Sequence, residues 1–145
     1  MSRRTSILTA LADRFKTLLD GNTYPSNIYG NAYPKLKFWD EVNDFPSIYM
    51  SPGSEQRQYE LAGFAWGFLT VSIKVYTRGE DAQMQLEQLL EDIETVVDQN
   101  RSVVYDTTKN YETTEILVVS ITTDEGLLAP YAVGEINLQV RYQIM

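Results

Sequence analysis

Four carboxylates, Glu87, Glu91, Glu94 and Asp98, recur at intervals of four, three and four residues. That spacing stacks side chains along one side of a helix. A second group, Asp40, Glu41 and Asp44, falls in a stretch rich in tyrosine, proline and asparagine. Paired carboxylates can do general acid–base work or hold a hard cation through their oxygens. Either role needs burial and convergence, which perturb a pKa and exclude water. A one-sign stripe on the outward side of a helix offers neither. The Asp40 group lacks the glycine-turned loop of a calcium site. The stripe therefore reads as a solvated or interface face, and the second group as a soluble loop.

The rest of the composition closes further routes. The chain contains no histidine and no cysteine, so the commonest general base, the commonest metal ligand and every thiolate site are missing. No glycine-rich phosphate loop occurs, since Gly63 and Gly67 only flank a turn. An enzyme built on Asp, Lys or Tyr stays open, although no convergent polar motif suggests one. Ten tyrosines, five phenylalanines and two tryptophans are scattered, not set on one strand beside basic residues as an RNA-binding sheet requires. Phe64, Trp66 and Phe68 are the exception. Three large rings beside one turn read either as core or as anchors for a partner.

Charge bears on partners. Residues 1–78 hold nine basic and seven acidic side chains, whereas residues 79–145 hold three and thirteen, within a net charge of −8. The second half is thus unsuited to stable nucleic-acid binding. No apolar run approaches a membrane span. The start, MSRRTSILTALADRF, is interrupted by Asp13, Arg14 and Lys16, which favours an amphipathic helix over a signal peptide. Absent cysteine fits a reducing compartment, and synthesis in the cytoplasm is expected. A chain of 145 residues with no linker or repeat is expected to be a single domain, 1–145.

The elements follow from periodicity. Thr5–Asp20 reads as a helix with Ile7, Leu8, Leu11, Phe15, Leu18 and Leu19 on one side, capped by Ser2 or Thr5 and stopped at Gly21-Asn22. Turn signals across residues 22–46 leave room for short strands at Asn27–Tyr29 and Leu36–Phe38. A short strand Ser47–Ser51 should end at Pro52-Gly53. Gln56–Ala62 and Trp66–Thr77 then form a hairpin turning at residues 63–65. In the second of these, Leu69, Val71, Ile73 and Val75 alternate with Thr70, Ser72, Lys74 and Tyr76, the period of a half-buried strand. After Arg78-Gly79 the period becomes helical over Glu80–Gln99, with Leu86, Leu89, Leu90, Ile93, Val96 and Val97 on one side and a solvent side expected to be wholly acidic. Residues 100–112 read as polar connection, and Glu115–Thr123 and Val133–Ile144 as a closing strand pair. The expected fold class is α+β: a mostly antiparallel sheet with two helices packed on one face.

The order of these segments resembles a known group. FPSIYMSPG precedes a hairpin whose second strand reads WGFLTVSIKVYTRGED; the helix AQMQLEQLLEDIETVVDQN and a last strand VGEINLQVRYQIM follow. This arrangement is similar to the tail terminator proteins of long-tailed, lambda-type bacteriophages (siphoviruses). The resemblance covers nearly the whole chain in element order and residues 46–98 in local sequence. It implies a structural, non-enzymatic assembly protein without cofactor or metal. Such proteins form a hexameric ring of identical subunits on the head-proximal end of the tail tube, stop its polymerisation and offer a surface to the head connector. By that analogy the hairpin of residues 55–66 contacts the tube protein or a neighbouring subunit, with Arg57, Tyr59, Phe64, Trp66 and Phe68 as candidate interface residues. The acidic surface of Glu87, Glu91, Glu94 and Asp98 would line the channel or face the connector, letting genomic DNA pass without specific binding. The implied location is the virion tail, after assembly in the host cytoplasm and without a membrane. The alternative is a neighbouring role in head–tail joining, tail completion or as a minor tail protein.

Overall fold

The computed structural model describes residues 2–144. Strand β3 (Ala65–Arg78) is central and antiparallel to β2 (Ser47–Tyr59) and β7 (Tyr131–Ile144). The register sets Leu69 opposite Val140, Val71 opposite Leu138 and Ile73 opposite Ile136. These branched cross-strand pairs are fully buried and stabilise the sheet centre. β6 (Glu115–Thr123) flanks β7, and the two-residue β1 (Ala32–Tyr33) runs parallel to β2, giving the order β1-β2-β3-β7-β6. Helices α1 (Arg3–Leu18) and α2 (Ala82–Gln99) cover the same apolar face and share one core with it. α1 packs over β1 and β2, and α2 over β3, β7 and β6. The α+β architecture with two helices on one face is as expected.

Local chemistry explains the boundaries. Ser2 accepts from the Thr5 backbone N–H at 3.1 Å, so Ser2 is the cap of α1 and Thr5 lies inside the helix. α1 stops at Leu18, two residues short of the expected end, ahead of Gly21 at φ +83°. The stripe Leu86, Leu89, Leu90, Ile93, Val96 and Val97 is buried on α2, where a full apolar face holds a helix that has no side-chain cap at its N-terminus.

Several expectations are corrected. The short strands at Asn27–Tyr29 and Leu36–Phe38 do not form; Asn27 makes one isolated bridge to Asp20, and the pairing strand is Ala32–Tyr33. Three apolar residues in a turn-rich stretch carry too little periodicity to fix a strand. The Ser47–Ser51 and Gln56–Ala62 strands are one strand, β2, with a register shift between Pro52 and Glu55. Pro52 pairs with Val71 on one side and has no strand on the other. A proline is tolerated there because no ladder N–H is needed. The connection after α2 contains a small hairpin, β4 (Val104–Asp106) and β5 (Tyr111–Glu112).

The face away from the helices is not uniformly open. Tyr76 falls on the polar face by alternation, yet it is buried with Tyr49 and Val42 in a second cluster joined by Tyr33, Phe45 and Val133. Residues 31–46 fold over this end and are tied down there. Asp44 accepts from Tyr33 at 2.7 Å and Tyr49 at 2.9 Å, and Tyr76 donates to the Lys37 carbonyl. Burial pushes the Tyr76 hydroxyl up to about 12, so it serves as a fixed donor.

Candidate assembly surfaces

At the opposite end β2 and β3 run on as a hairpin closed at Glu60–Phe64, where the Glu60 N–H donates to the Phe64 carbonyl and Gly63 takes φ +87°. A side chain there would be strained, which suits glycine. Leu61 at the tip is fully exposed and Tyr59 is 74% exposed. The strand period splits the candidate residues between two faces. Arg57 and Tyr59 lie opposite Gly67 and Ala65, on the helix side. Trp66 and Phe68 are half-buried on the helix-free side. Phe64 meets Trp66 edge-on at 5.5 Å, and the Arg141 guanidinium stacks 5.0 Å from the Trp66 ring. The three rings are therefore neither core nor free. They form a braced surface patch.

Glu55 roots the hairpin to β7. Its carboxylate accepts from the Tyr142 hydroxyl and pairs with Arg57 at 3.1 Å. Burial resists ionisation of Glu55, but the bonds from Tyr142 and Arg57 outweigh it and hold the pKa below the ordinary value. Burial, and then the same bond, lifts Tyr142 to about 12.

The acidic stripe lies on one flank of α2. Glu87, Glu91 and Asp98 are exposed and Glu94 is half-buried. The solvent side is not wholly acidic, because Met84 is 77% exposed there beside Gln85 and Gln88. A further carboxylate, Asp92, is buried and accepts from the Ser26 N–H at 2.9 Å and Gln88 at 3.0 Å. Its neighbour along the helix, Gln99, receives the Tyr24 hydroxyl at 2.9 Å. These bonds fix the flank that meets residues 24–26. At about 100° per residue the stripe then falls on the other flank, toward β6. Gln83 on that side reaches Asp124 in the β6–β7 turn at 3.2 Å. Asp92 breaks the stripe's spacing, yet its place beside Leu89 and Val96 on the helical wheel was a usable signal.

The two ends of the sheet each expose apolar side chains. Tyr59 and Leu61 mark one end; Leu36, Phe38, Trp39 and Leu127 mark the other. Trp39 is held there 5.3 Å from Tyr131. Chemistry finds less to work with. Among the described residues no group of three or more acidic side chains is gathered to hold a metal, and no helix is long and apolar enough to cross a membrane. The cleft lined by Arg3, Ser6, Tyr105, Lys109 and Tyr111 is broad and open.

Comparison with known proteins gives the family and the fold. The family described as Bacteriophage Tail Tube Terminator Protein matches residues 1–145. The tail tube terminator protein p142 of Escherichia phage T5 is 40% identical over 153 residues, which span 99% of this chain and 95% of that protein. A chain from the virion of a native gene transfer agent particle shares the fold, with a TM-score of 0.64 at 11% identity over 94% of both chains.

Proposed function

The chain belongs to the bacteriophage tail tube terminator family, and from that premise we propose that six copies close into a ring on the head-proximal end of the tail tube. The ring halts tube polymerisation and presents a docking surface to the head connector. The observation that carries this reading is the full-length match to a tail tube terminator at 40% identity. The geometry supports it in two ways. Each subunit exposes apolar side chains at both ends of its sheet, as a ring seated between two different partners needs. The Glu60–Phe64 turn, with Leu61 at its tip, extends past the last β3–β7 pair, and with Arg57, Tyr59, Phe64, Trp66 and Phe68 around it this end is suited to the tube or to a neighbouring subunit. The role is structural, without a catalytic step, and genomic DNA passes through the ring without a specific site.

Electron microscopy of particles lacking this protein tests the proposal. Tails of uncontrolled length without heads are expected. Tails of normal length that fail to join heads would instead assign the protein to head–tail joining. Light scattering of the purified protein, alone and with tail tubes, reads the subunit number; a protein that stays monomeric and never binds tubes overturns the ring.

A further inference from the structure

We infer that neighbouring copies join edge to edge, with the open edge of β6 in one copy pairing antiparallel with residues 55–59 of β2 in the next, so that one sheet runs through adjacent subunits. The inference rests on the ring reading above and names the surface that closes it. Its starting point is that the five-stranded sheet has two unprotected edges. β6 is terminal in the sheet order and carries one charged residue, Glu115, in the stretch EILVVSITT. β1 covers β2 only at Ile48 and Tyr49, and Arg4 reaches the Gly53 carbonyl, so Glu55–Tyr59 is left without a flanking strand. Open β edges are templates for another strand, and β6 is also rich in branched residues and poor in charge.

Strand direction makes the two edges complementary. β2, β3, β7 and β6 are successive antiparallel neighbours, so β2 and β6 run in opposite senses. Rotating a copy about an axis along the strands preserves those senses and sets its β2 antiparallel to β6. Glu115 lies level with Gln56, since Glu115 pairs with Arg141, Arg141 with Phe68 and Phe68 with Gln56. A stagger of about two or four residues between copies, as tilted strands in a ring produce, sets Glu115–Val119 against Glu55–Tyr59 with Leu117 beside Gln56 or Gln58, and the β6 irregularity between Val118 and Ser120 ends the ladder. Val119, 64% exposed at that irregularity, marks its limit.

Charge selects this pairing over a two-fold one. The acidic stripe overhangs the β6 side of the subunit. Joining two β6 edges about a two-fold axis would set the stripes of both copies against each other. Joining β6 to β2 brings the stripe beside the next copy's α1, where Arg4 and Lys16 stand against Asp13, while Arg3 and Arg14 are turned to their own chain, over Tyr142 and against the Asn100 and Ser102 carbonyls. Unlike charges then meet across the seam. A head-to-tail contact of this kind also closes into rings, whereas the two-fold contact stops at a dimer.

The natural absence of cysteine makes the seam directly testable by disulfide trapping. Leu117 of β6 and Gln56 and Gln58 of β2 all lie on the helix-free side of the sheet, opposite Gln139, Phe68 and Trp66. Within one chain these positions are three strand spacings apart, about 14 Å, beyond the roughly 7 Å between Cα atoms that a disulfide spans. Any bond that forms must link two copies. The full-length variants Leu117→Cys/Gln58→Cys and Leu117→Cys/Gln56→Cys are oxidised mildly, free and on tail tubes, and run without reductant. A ladder of covalent multimers ending at the ring size is expected in one of the two registers, with each single-cysteine variant remaining at monomer mass. Rings seen by light scattering without a ladder in either register overturn the edge pairing and leave the ring reading intact. Disulfide dimers of Leu117→Cys alone would show the two-fold arrangement instead. Absence of rings on tubes as well as in solution overturns both readings.

Discussion

Replacing Asp44 with alanine removes one acceptor and orphans two hydroxyls. Tyr33 loses a 2.7 Å bond and Tyr49 a 2.9 Å bond. Tyr33 retains a 3.1 Å bond to Asn31, but Tyr49 is only 2% exposed, so its hydroxyl is left without water. A hydrogen bond to a charged group is worth about 1.5–3 kcal/mol, and an orphaned buried donor costs about 1–3. Asp44 is partly solvated and the two bonds share one carboxylate, so the contributions do not add in full; about 2–4 kcal/mol is expected. For a domain of this size that is a fall in Tm of about 8–16 °C, at roughly 4 °C per kcal/mol.

The pH dependence has a definite sign. Burial resists ionisation of Asp44, yet the bonds from Tyr33 and Tyr49 outweigh it and lower its pKa below 3.8. As the pH falls, the unfolded chain takes up this proton first. The contribution of Asp44 is therefore complete above about pH 4 and disappears as the pH falls through the folded-state value. Urea titrations of wild type and Asp44→Ala at neutral pH and at about pH 3 should show the gap narrowing in acid. Tyr49→Phe added to Asp44→Ala removes the orphaned hydroxyl, so the double variant should be less destabilised than the sum of the singles by about 1 kcal/mol or more. A loss under about 0.5 kcal/mol for Asp44→Ala, or strict additivity with Tyr49→Phe, would refute the role given to this cluster.

On α2, Asp92→Ala should cost about 1–3 kcal/mol by leaving the Ser26 N–H unpaired, while Glu91→Ala on the exposed flank should shift stability by less than about 0.5; chemical denaturation separates the two. Gly67→Ala places a Cβ 3.0 Å from Tyr142 and Ile144 side-chain atoms and should destabilise by about 1–3 kcal/mol in the same assay. Leu61→Asp at the exposed tip should leave folding within about 0.5 kcal/mol of wild type, yet weaken capture of tail tubes in a co-sedimentation assay if the tip contacts the tube.

How much of this was legible depends on how much regularity each segment carries. The alternation of Leu69–Tyr76 and of residues 133–144, and the Leu86–Val97 stripe, repeat long enough to fix β3, β7 and α2. Pro52-Gly53 misled because a turn signal also marks a bulge on an edge strand, and the edge is a property of the assembled sheet. Tyr76 misled for a similar reason. Alternation places it on the polar face, and only the fold of residues 31–46 over that face buries it. The hairpin residues were legible as a group, but their division between two faces required the register with β3. Leu36–Phe38, read as a short strand, and Leu127 carry no period that could announce an exposed end.

The rotation of α2 ties these threads together. Had the acidic side chains served only solubility, any outward orientation of the stripe would do, since exposed like charges far apart are largely screened. The buried apolar face of α2 makes one orientation obligatory, and Asp92 fastens the flank opposite the stripe to Ser26. The subunit thereby becomes electrostatically asymmetric about its own sheet, acidic beyond β6 and weakly basic beyond β2. Such a body repels its own copies edge-to-like-edge and attracts them edge-to-unlike-edge. Repulsion of that kind acts on encounter as well as on the final contact. It discourages the dead-end dimer that two open, branched β edges would otherwise form. The way α2 seats on the sheet, far from the seam, is then what gives the seam its polarity. Asp92→Ala leaves the apolar face of α2 in place, so it should lower stability while discrimination between the two kinds of edge persists.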